Sequence, residues 1–345
     1  MREKIPVAVL GATGAVGQRM VLLLAQHPWF EIVQLSASDK NEGKSYGNAV
    51  HWLLPDPIPP SVQSMPLTSP RPLSRAKVAF SALDASVAMS IEKEWAESGV
   101  AVVTNAAPHR VDPTVPLVIP EVNSDHIDLI RTQGYPSGGM IVANPNCVTI
   151  GLCLALKPLV DLFDIKSVIV TTFQAASGAG FPGVSSLSIL DNVVPNIPGE
   201  EEKVESEPKK IFACYDGSEL IYSKLPISAS CVRVPVLEGH LKAVTVEFID
   251  EVSIGDVQDA FCSYRFSNQA LPSSPERPLR FFSEETFPQP RLHRMIDGGM
   301  TVTVGSLRPC TVGSFKFFTL SHNTVRGAAG GSILLGELLV SQARC

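Results

Sequence analysis

Apolar residues open the chain as a run, Ile5-Pro6-Val7-Ala8-Val9-Leu10, which stops at Gly11-Ala12-Thr13-Gly14-Ala15-Val16-Gly17. Gln18 to Leu24 continues in a helical pattern, so a buried strand, a glycine turn and a helix follow in that order. Glu31-Ile32-Val33-Gln34-Leu35-Ser36 predicts a second strand. Val78 to Leu83 and Val100 to Asn105 are short apolar runs of the kind buried in parallel sheets, and Ser86 to Ser98 between them is helical. The prolines crowded between Leu53 and Pro72 predict an exposed connector without regular structure. After Cys147 the alternation of strand and helix gives way to β-rich runs: Ser167 to Phe173, Ala243 to Phe248, Met300 to Gly305 and Phe315 to Leu320. These predict a second unit on a mixed sheet. Asn323 to Ser332 reads as a polar, glycine-containing turn ahead of an apolar helix, Ile333 to Leu339, that packs back on the first unit.

Length and composition narrow this picture. A chain of 345 residues exceeds what one core ordinarily serves, so two unequal domains are expected. Hydrophobic residues make up 45% and charged residues 18%, enough apolar surface for sizeable cores. The net charge of -6, with no block of Lys or Arg, argues against nucleic acid or an acidic membrane as partner. No run reaches the length of about 18 apolar residues that a membrane helix needs, and the amino terminus lacks the pattern of a signal peptide. A cytoplasmic protein is expected. The seven cysteines are scattered, odd in number and include no CxxC pair, so reduced thiols and no metal site are expected.

Candidate chemistry gathers at three places. The string Gly11, Thr13, Gly14, Ala15, Val16 and Gly17, between strand and helix, suits the pyrophosphate of a dinucleotide in a Rossmann-type doubly wound sheet. Its first two glycines allow close approach, the third lets helix and strand pack, and the helix start faces the anion. A tight turn in a plain βα unit is the alternative. Past the second strand, Ser36, Ser38, Lys40 and Lys44 suit the extra phosphate of NADP, and Asp39 would suit the ribose of NAD; the balance favours NADP. Arg110 follows the strand ending at Asn105 and is either an anion binder or a surface arginine. In Asn144-Pro145-Asn146-Cys147, a thiol stands where a loop becomes a helix, whose first amides favour a thiolate. Cys147 is a candidate covalent nucleophile; a small buried apolar residue is the other reading. His240, in Arg233-Val234-Pro235-Val236-Leu237-Glu238-Gly239-His240, is a candidate to take its proton and later shuttle protons to and from a carbonyl oxygen.

Seven ordered blocks together resemble the aspartate-semialdehyde dehydrogenase family, in the wording of its archaeal and fungal branch. They are the glycine string; Asn144 to Cys147; Gln174 to Gly183, with Ser177, Gly178 and Gly180; Leu190 to Pro195; Gly199 to Lys203; Arg233 to His240; and Ser321 to Gly331. The resemblance implies a Rossmann-type domain at 1–146 and 325–345, and an α+β catalytic and dimerisation domain with a mixed sheet at 147–324. It implies NADPH-dependent reduction of L-aspartyl 4-phosphate to L-aspartate 4-semialdehyde with release of phosphate, serving lysine, methionine and threonine biosynthesis, in a homodimer or homotetramer. Cys147 would carry the acyl group, His240 would be the acid/base and Gln174 would position the substrate. Arg233 would grip the α-carboxylate, Glu201 would meet the ammonium, and Arg110, Asn144 and Lys203 would hold the phosphoryl group. Ser177, Gly178, Gly180 and Asn323 would lie by the nicotinamide. The chain departs from the family pattern at Leu241-Lys242, where Thr-Glu is usual, at Asn196 in place of an aromatic, and at Asp39-Lys40 in place of Arg-Ser. A related acyl-phosphate or acyl-CoA reductase of the N-acetylglutamyl-phosphate or malonyl-CoA type would share Cys147 and His240, but not the need for Arg233 with an acidic run. A non-catalytic dinucleotide-binding module would need none of them.

Overall fold

The computed structural model describes residues 3–266 and 270–344; Cys345, one of the seven thiols, lies outside them. Six parallel strands, β1 (Ile5–Leu10), β2 (Phe30–Ser36), β3 (Leu67–Thr68), β4 (Val78–Ser81), β5 (Ala101–Thr104) and β6 (Met140–Ala143), form one sheet in the order β3-β2-β1-β4-β5-β6. The order reverses between β1 and β4, the switch point at which open α/β sheets collect ligands beyond the carboxyl ends of their strands. After a small hairpin of β9 (Cys214–Tyr215) and β10 (Leu220–Ile221), the chain completes a second, mixed sheet. Its strands are β7 (Ile165–Gln174), β8 (Val194–Pro195), β11 (Ile227–Arg233), β12 (His240–Phe248), β13 (Leu279–Phe282), β14 (Val302–Pro309) and β15 (Phe315–Ser321), in the order β13-β14-β15-β12-β7-β11-β8.

The helix Cys147–Leu162 joins the two layers. It is apolar on nearly every side, as a helix packed all round should be, and its Asn146 cap accepts the Val148 and Thr149 amides at 2.8 and 3.4 Å. One apolar cluster runs from Val102 and Ile141 of the parallel sheet, through Val148 and Leu152, to Val170 and Val244 of the mixed sheet. The opposite face of the parallel sheet is covered by the helix Gly330–Ser341, with Leu334 and Leu338 against Phe30 and Phe80 in a second cluster. The expected return of the tail is therefore what the structure has. Among the described residues no helix is long and apolar enough to cross a membrane.

Two expectations need correction. The proline-dense stretch contains a short helix, Pro60–Gln63, and the edge strand β3, because Val62 and Leu67 are buried and β3 pairs with β2. Proline is tolerated beside an edge strand, so its density did not exclude one. The glycine-containing tail turns only at Asn323 and Thr324. Val325–Ala329 is a π-helical turn running into the helix Gly330–Ser341. Its glycines serve close approach: a Cβ on Gly330 would meet Met300 Sδ at 2.5 Å, and one on Gly331 the Arg326 carbonyl oxygen at 2.5 Å.

Candidate active site

Three strand ends meet at one edge of the mixed sheet. β7 and β11 are parallel, with Gln174 opposite Arg233 at their carboxyl ends, and the antiparallel β12 begins there with His240. The same edge faces Cys147, the first residue of its helix, which follows β6 and so stands at the carboxyl edge of the parallel sheet. Cys147 Sγ lies 3.3 Å from His240 Nε2. Gly178 closes the group from the side: a Cβ there would come within 2.6 Å of Arg233 Nη1 and 3.2 Å of His240 Nε2.

The Ala175 amide donates to His240 Nδ1 at 3.0 Å, so the neutral ring carries its proton on Nε2, aimed at the sulfur. This corrects the expected resting role. With Nε2 already protonated, His240 is placed to donate a proton and not to take one from the thiol. Burial, then the charges of Lys242, Arg233 and His322, hold its imidazolium form well below the usual histidine range. Burial and the Glu200 carboxylate push the Cys147 thiol up to about 12, opposed by Arg110, Arg233 and Lys242. Part of the Cys147 side chain still reaches solvent, which moderates that penalty.

Around this pair the acidic run sorts itself by helical position. Glu200, at the start of the helix Glu200–Ile211, faces the site: Oε1 accepts from Asn146 Nδ2 at 2.9 Å and from Gln174 Nε2 at 3.3 Å, and Oε2 pairs with Lys203 at 3.2 Å. Glu201 points elsewhere, accepting the Cys231 amide of β11 at 2.9 Å. Of the acidic run, Glu200 and not the expected Glu201 has its carboxylate at the site. The signal was present in the sequence, since Lys203 is three residues from Glu200 and shares its helix face. Arg233 is buried, donates to the Ala175 carbonyl at 2.8 Å, and has no carboxylate at ion-pair distance among the described residues. Arg110 pairs with Glu207 at 3.1 Å and donates to the Asn105 carbonyl, while Glu207 also accepts the Asn146 amide at 2.7 Å. Asn144 donates to Asn105 Oδ1 at 3.0 Å. Glu207, Asn105 and Asn146 were not singled out by sequence reasoning, and Glu200 was included only as a member of the acidic run.

The glycine turn lines a cleft of about 520 Å³ with Gly11, Thr13, Gly14, Ala37, Ser38, Asp39, Ala82 and Leu83 among its walls. Gly11 has φ +75°, and a Cβ on it would strike the Ala82 carbonyl oxygen at 2.7 Å. Gly14 stands at the helix start with no capping side chain, leaving amides free for an anion. This cradle fits a dinucleotide pyrophosphate. Ala15 and Val16 form the first turn of that helix, and Gly17 packs where a Cβ would lie 2.1 Å from the Gly11 carbonyl oxygen. Ser36 departs from expectation: it is fully buried, with its hydroxyl donating to the Val9 carbonyl, so it faces the core and not the cleft. Lys40 is exposed beyond Ser38, and Lys44 donates to Asn41 Oδ1. Asn323 donates to Ser177 Oγ at 2.8 Å and accepts the Gly239 amide, bracing the loop that holds Gly178 and Gly180.

A doubly wound sheet with a glycine-turn cleft, and a thiol paired with an imidazole at the same carboxyl edge, defines a cysteine-dependent dehydrogenase. A family model described as "Semialdehyde dehydrogenase, NAD binding domain" matches residues 6–130, and one described as "Semialdehyde dehydrogenase, dimerisation domain" matches residues 156–326. The aspartate-semialdehyde dehydrogenase of Archaeoglobus fulgidus is 46% identical over 339 residues, covering 97% of this chain and 98% of that one. The chain belongs to the aspartate-semialdehyde dehydrogenase family. Among solved structures, aspartate semialdehyde dehydrogenase with NADP from Candida albicans matches with a TM-score of 0.91 at 39% identity, covering 99% of this chain and 100% of that one. Aspartate semialdehyde dehydrogenase II complexed with ASA from Vibrio cholerae matches with a TM-score of 0.79 at 27% identity, covering 98% and 99%.

Proposed function

We propose that this chain reduces L-aspartyl 4-phosphate to L-aspartate 4-semialdehyde with NADPH, through a thioester on Cys147. The observation that carries the reading is the 3.3 Å contact of Sγ with Nε2, made beside a buried arginine that no carboxylate of the described residues pairs with. A planar guanidinium matches a carboxylate in two-pronged geometry, so Arg233 takes the substrate α-carboxylate. Glu200 takes the ammonium, which also offsets the carboxylate that disfavours the thiolate. Gln174 orients the acyl group. Arg110, Asn144 and Lys203 form the phosphoryl pocket.

Cys147 attacks the acyl carbon, the acyl–phosphate bond breaks, and phosphate leaves with the thiol proton, so that the thioester remains on Sγ. Bound NADPH supplies the hydride that the thioester needs to become a thiohemiacetal, and its pyrophosphate is held at Gly11, Thr13 and Gly14. His240, protonated at Nε2, donates a hydrogen bond to the oxygen as charge develops there, and the C–S bond then breaks to release the aldehyde and the Cys147 thiolate. Ser177, Gly178, Gly180 and Asn323 wall the nicotinamide side. The match to a dimerisation domain supports assembly with a second copy, as a homodimer or homotetramer, and the protein acts in the cytoplasm.

The test is phosphate-dependent reduction of NADP and of NAD with aspartate semialdehyde as substrate. NADP is expected to be preferred, and Cys147→Ala to abolish turnover while NADP binding persists. Turnover by that variant would end the covalent mechanism.

A further inference from the structure

Alternate residues of β12, His240, Lys242, Val244, Val246 and Phe248, share the face that packs beneath the helix Cys147–Leu162, and all are buried. Three of the five are core hydrophobes. A lysine among them is out of place unless its charge is used, because burying an ammonium without a partner carboxylate is strongly unfavourable. Lys242 is fully buried, and among the described residues Nζ finds only the Ser321 hydroxyl at 2.9 Å and the His240 carbonyl at 3.3 Å. Directly opposite it on the neighbouring strands are Thr172 and Thr319, and the buried Thr319 hydroxyl has no partner among the described residues. The helix leaves room for the amine by carrying Gly151 one turn after Cys147: a Cβ there would lie 2.6 Å from Nζ and 2.3 Å from Ser321 Oγ. The amine is thus held below the first turn of the nucleophile's own helix.

His240 cannot supply the positive charge that a thiolate needs, since its Nδ1 accepts the Ala175 amide and the ring is neutral. We propose that Lys242 is the charge partner of the Cys147 thiolate, a positioning residue that acts on the nucleophile through the electrostatics of the enclosed site. As the thiolate forms, the S–H bond of Cys147 is lost and an N–H bond on Lys242 is gained. The net charge of the site does not change, and no isolated ion is left inside.

The other charged groups facing the sulfur are Glu200, which disfavours the thiolate, and Arg110 and Arg233, which favour it; the groups facing Nζ are Cys147 and Cys153. Burial lowers Lys242 to about 7, and negative charge on Cys147 or Cys153 would raise it, so the buried amine is able to change charge near neutrality. Substrate adds to the same balance. Its ammonium at Glu200 removes the main charge that opposes the thiolate.

The inference rests on Cys147 being the nucleophile, and the experiment separates the two. Full-length protein is alkylated with iodoacetamide from pH 5 to 10, and modification of Cys147 is followed by peptide mass, alongside Lys242→Met and Lys242→Gln. Thermal melting and NADP binding report on the integrity of each variant. Both variants remove the charge; methionine also suits the apolar surroundings, and glutamine keeps a polar group for Ser321. Each is expected to move the reactivity profile to higher pH by about one unit or more, slowing Cys147 alkylation at pH 7 about tenfold, with NADP binding retained. Profiles that overlay the wild type in the folded variants overturn the inference alone. A wild-type enzyme that turns over normally with Cys147 alkylated overturns the nucleophile and the inference together.

Discussion

Glu200 and Glu201 are neighbours in the chain and face opposite ways on one helix, so the same substitution at each should have separable effects. Glu200→Gln removes the carboxylate shared by Asn146, Gln174 and Lys203. It is expected to raise KM for aspartate semialdehyde by about tenfold or more, the loss of a charge-assisted contact of roughly 1.5–3 kcal/mol. It should also make Cys147 more reactive to alkylation in the absence of substrate, because Glu200 holds the thiol up. Glu201→Gln should leave both unchanged and lower stability by at most about 1 kcal/mol, through its contact with the Cys231 amide. Steady-state kinetics of the two variants decide the assignment, and equal KM effects would refute it. Cys147 was legible because Asn146 and Pro145 announce a helix start, a local signal. The tautomer of His240 was not, because it depends on the amide of Ala175, 65 residues away, and Ser36 was misjudged because the direction of a side chain at a strand end depends on which strands flank it.

Elements with a long apolar period were legible almost to their ends: the run predicted at 5–10 is β1, and the helix predicted at 86–98 is Ala85–Glu97. The edge strand β3 has two residues and no period to detect. The π-helical turn Val325–Ala329 was hidden for a different reason, since its glycines look like a turn until the neighbour that requires them is known. That neighbour is Cys147: a Cβ on Gly327 would lie 2.7 Å from Cys147 Cβ and 2.9 Å from its Cα. Gly327→Ala must therefore shift either the turn or the first residue of the Cys147 helix. Displacement of a reacting group by about 1 Å can reduce a rate about 10²-fold. The expected outcome is a kcat reduced by about that factor with NADP affinity little changed, because the glycine cleft lies on other strands. A kcat equal to wild type would show that the turn yields without moving the sulfur.

The two sheets must keep cofactor cleft and nucleophile in register, and a polar tie spans them. Glu238, on the segment between β11 and β12, pairs with Arg19 of the glycine-turn helix at 3.0 Å, with His322 at 3.4 Å, and accepts from Thr324 at 3.2 Å. The His322 contact, helped by Arg19 and Thr324 and opposed by burial, holds its carboxyl down at about 2. A folded-state value below the unfolded one contributes stability that is fully present above the ordinary glutamate range and is lost as pH falls through about 2. At roughly 1.4 kcal/mol per unit the shift is worth up to about 3 kcal/mol, reduced to about 2 by the remaining exposure of the carboxylate. Glu238→Gln should therefore unfold more readily than wild type in urea at pH 7, by about 2 kcal/mol, with the two proteins converging as pH approaches 2. The variant should also bind NADP more weakly, since Arg19 sits on the helix whose first turn faces the pyrophosphate. Urea titrations at pH 7, 4.5 and 3 read the first effect and cofactor titration the second. A stability difference independent of pH would mean that the tie works through packing, with the carboxylate charge contributing nothing.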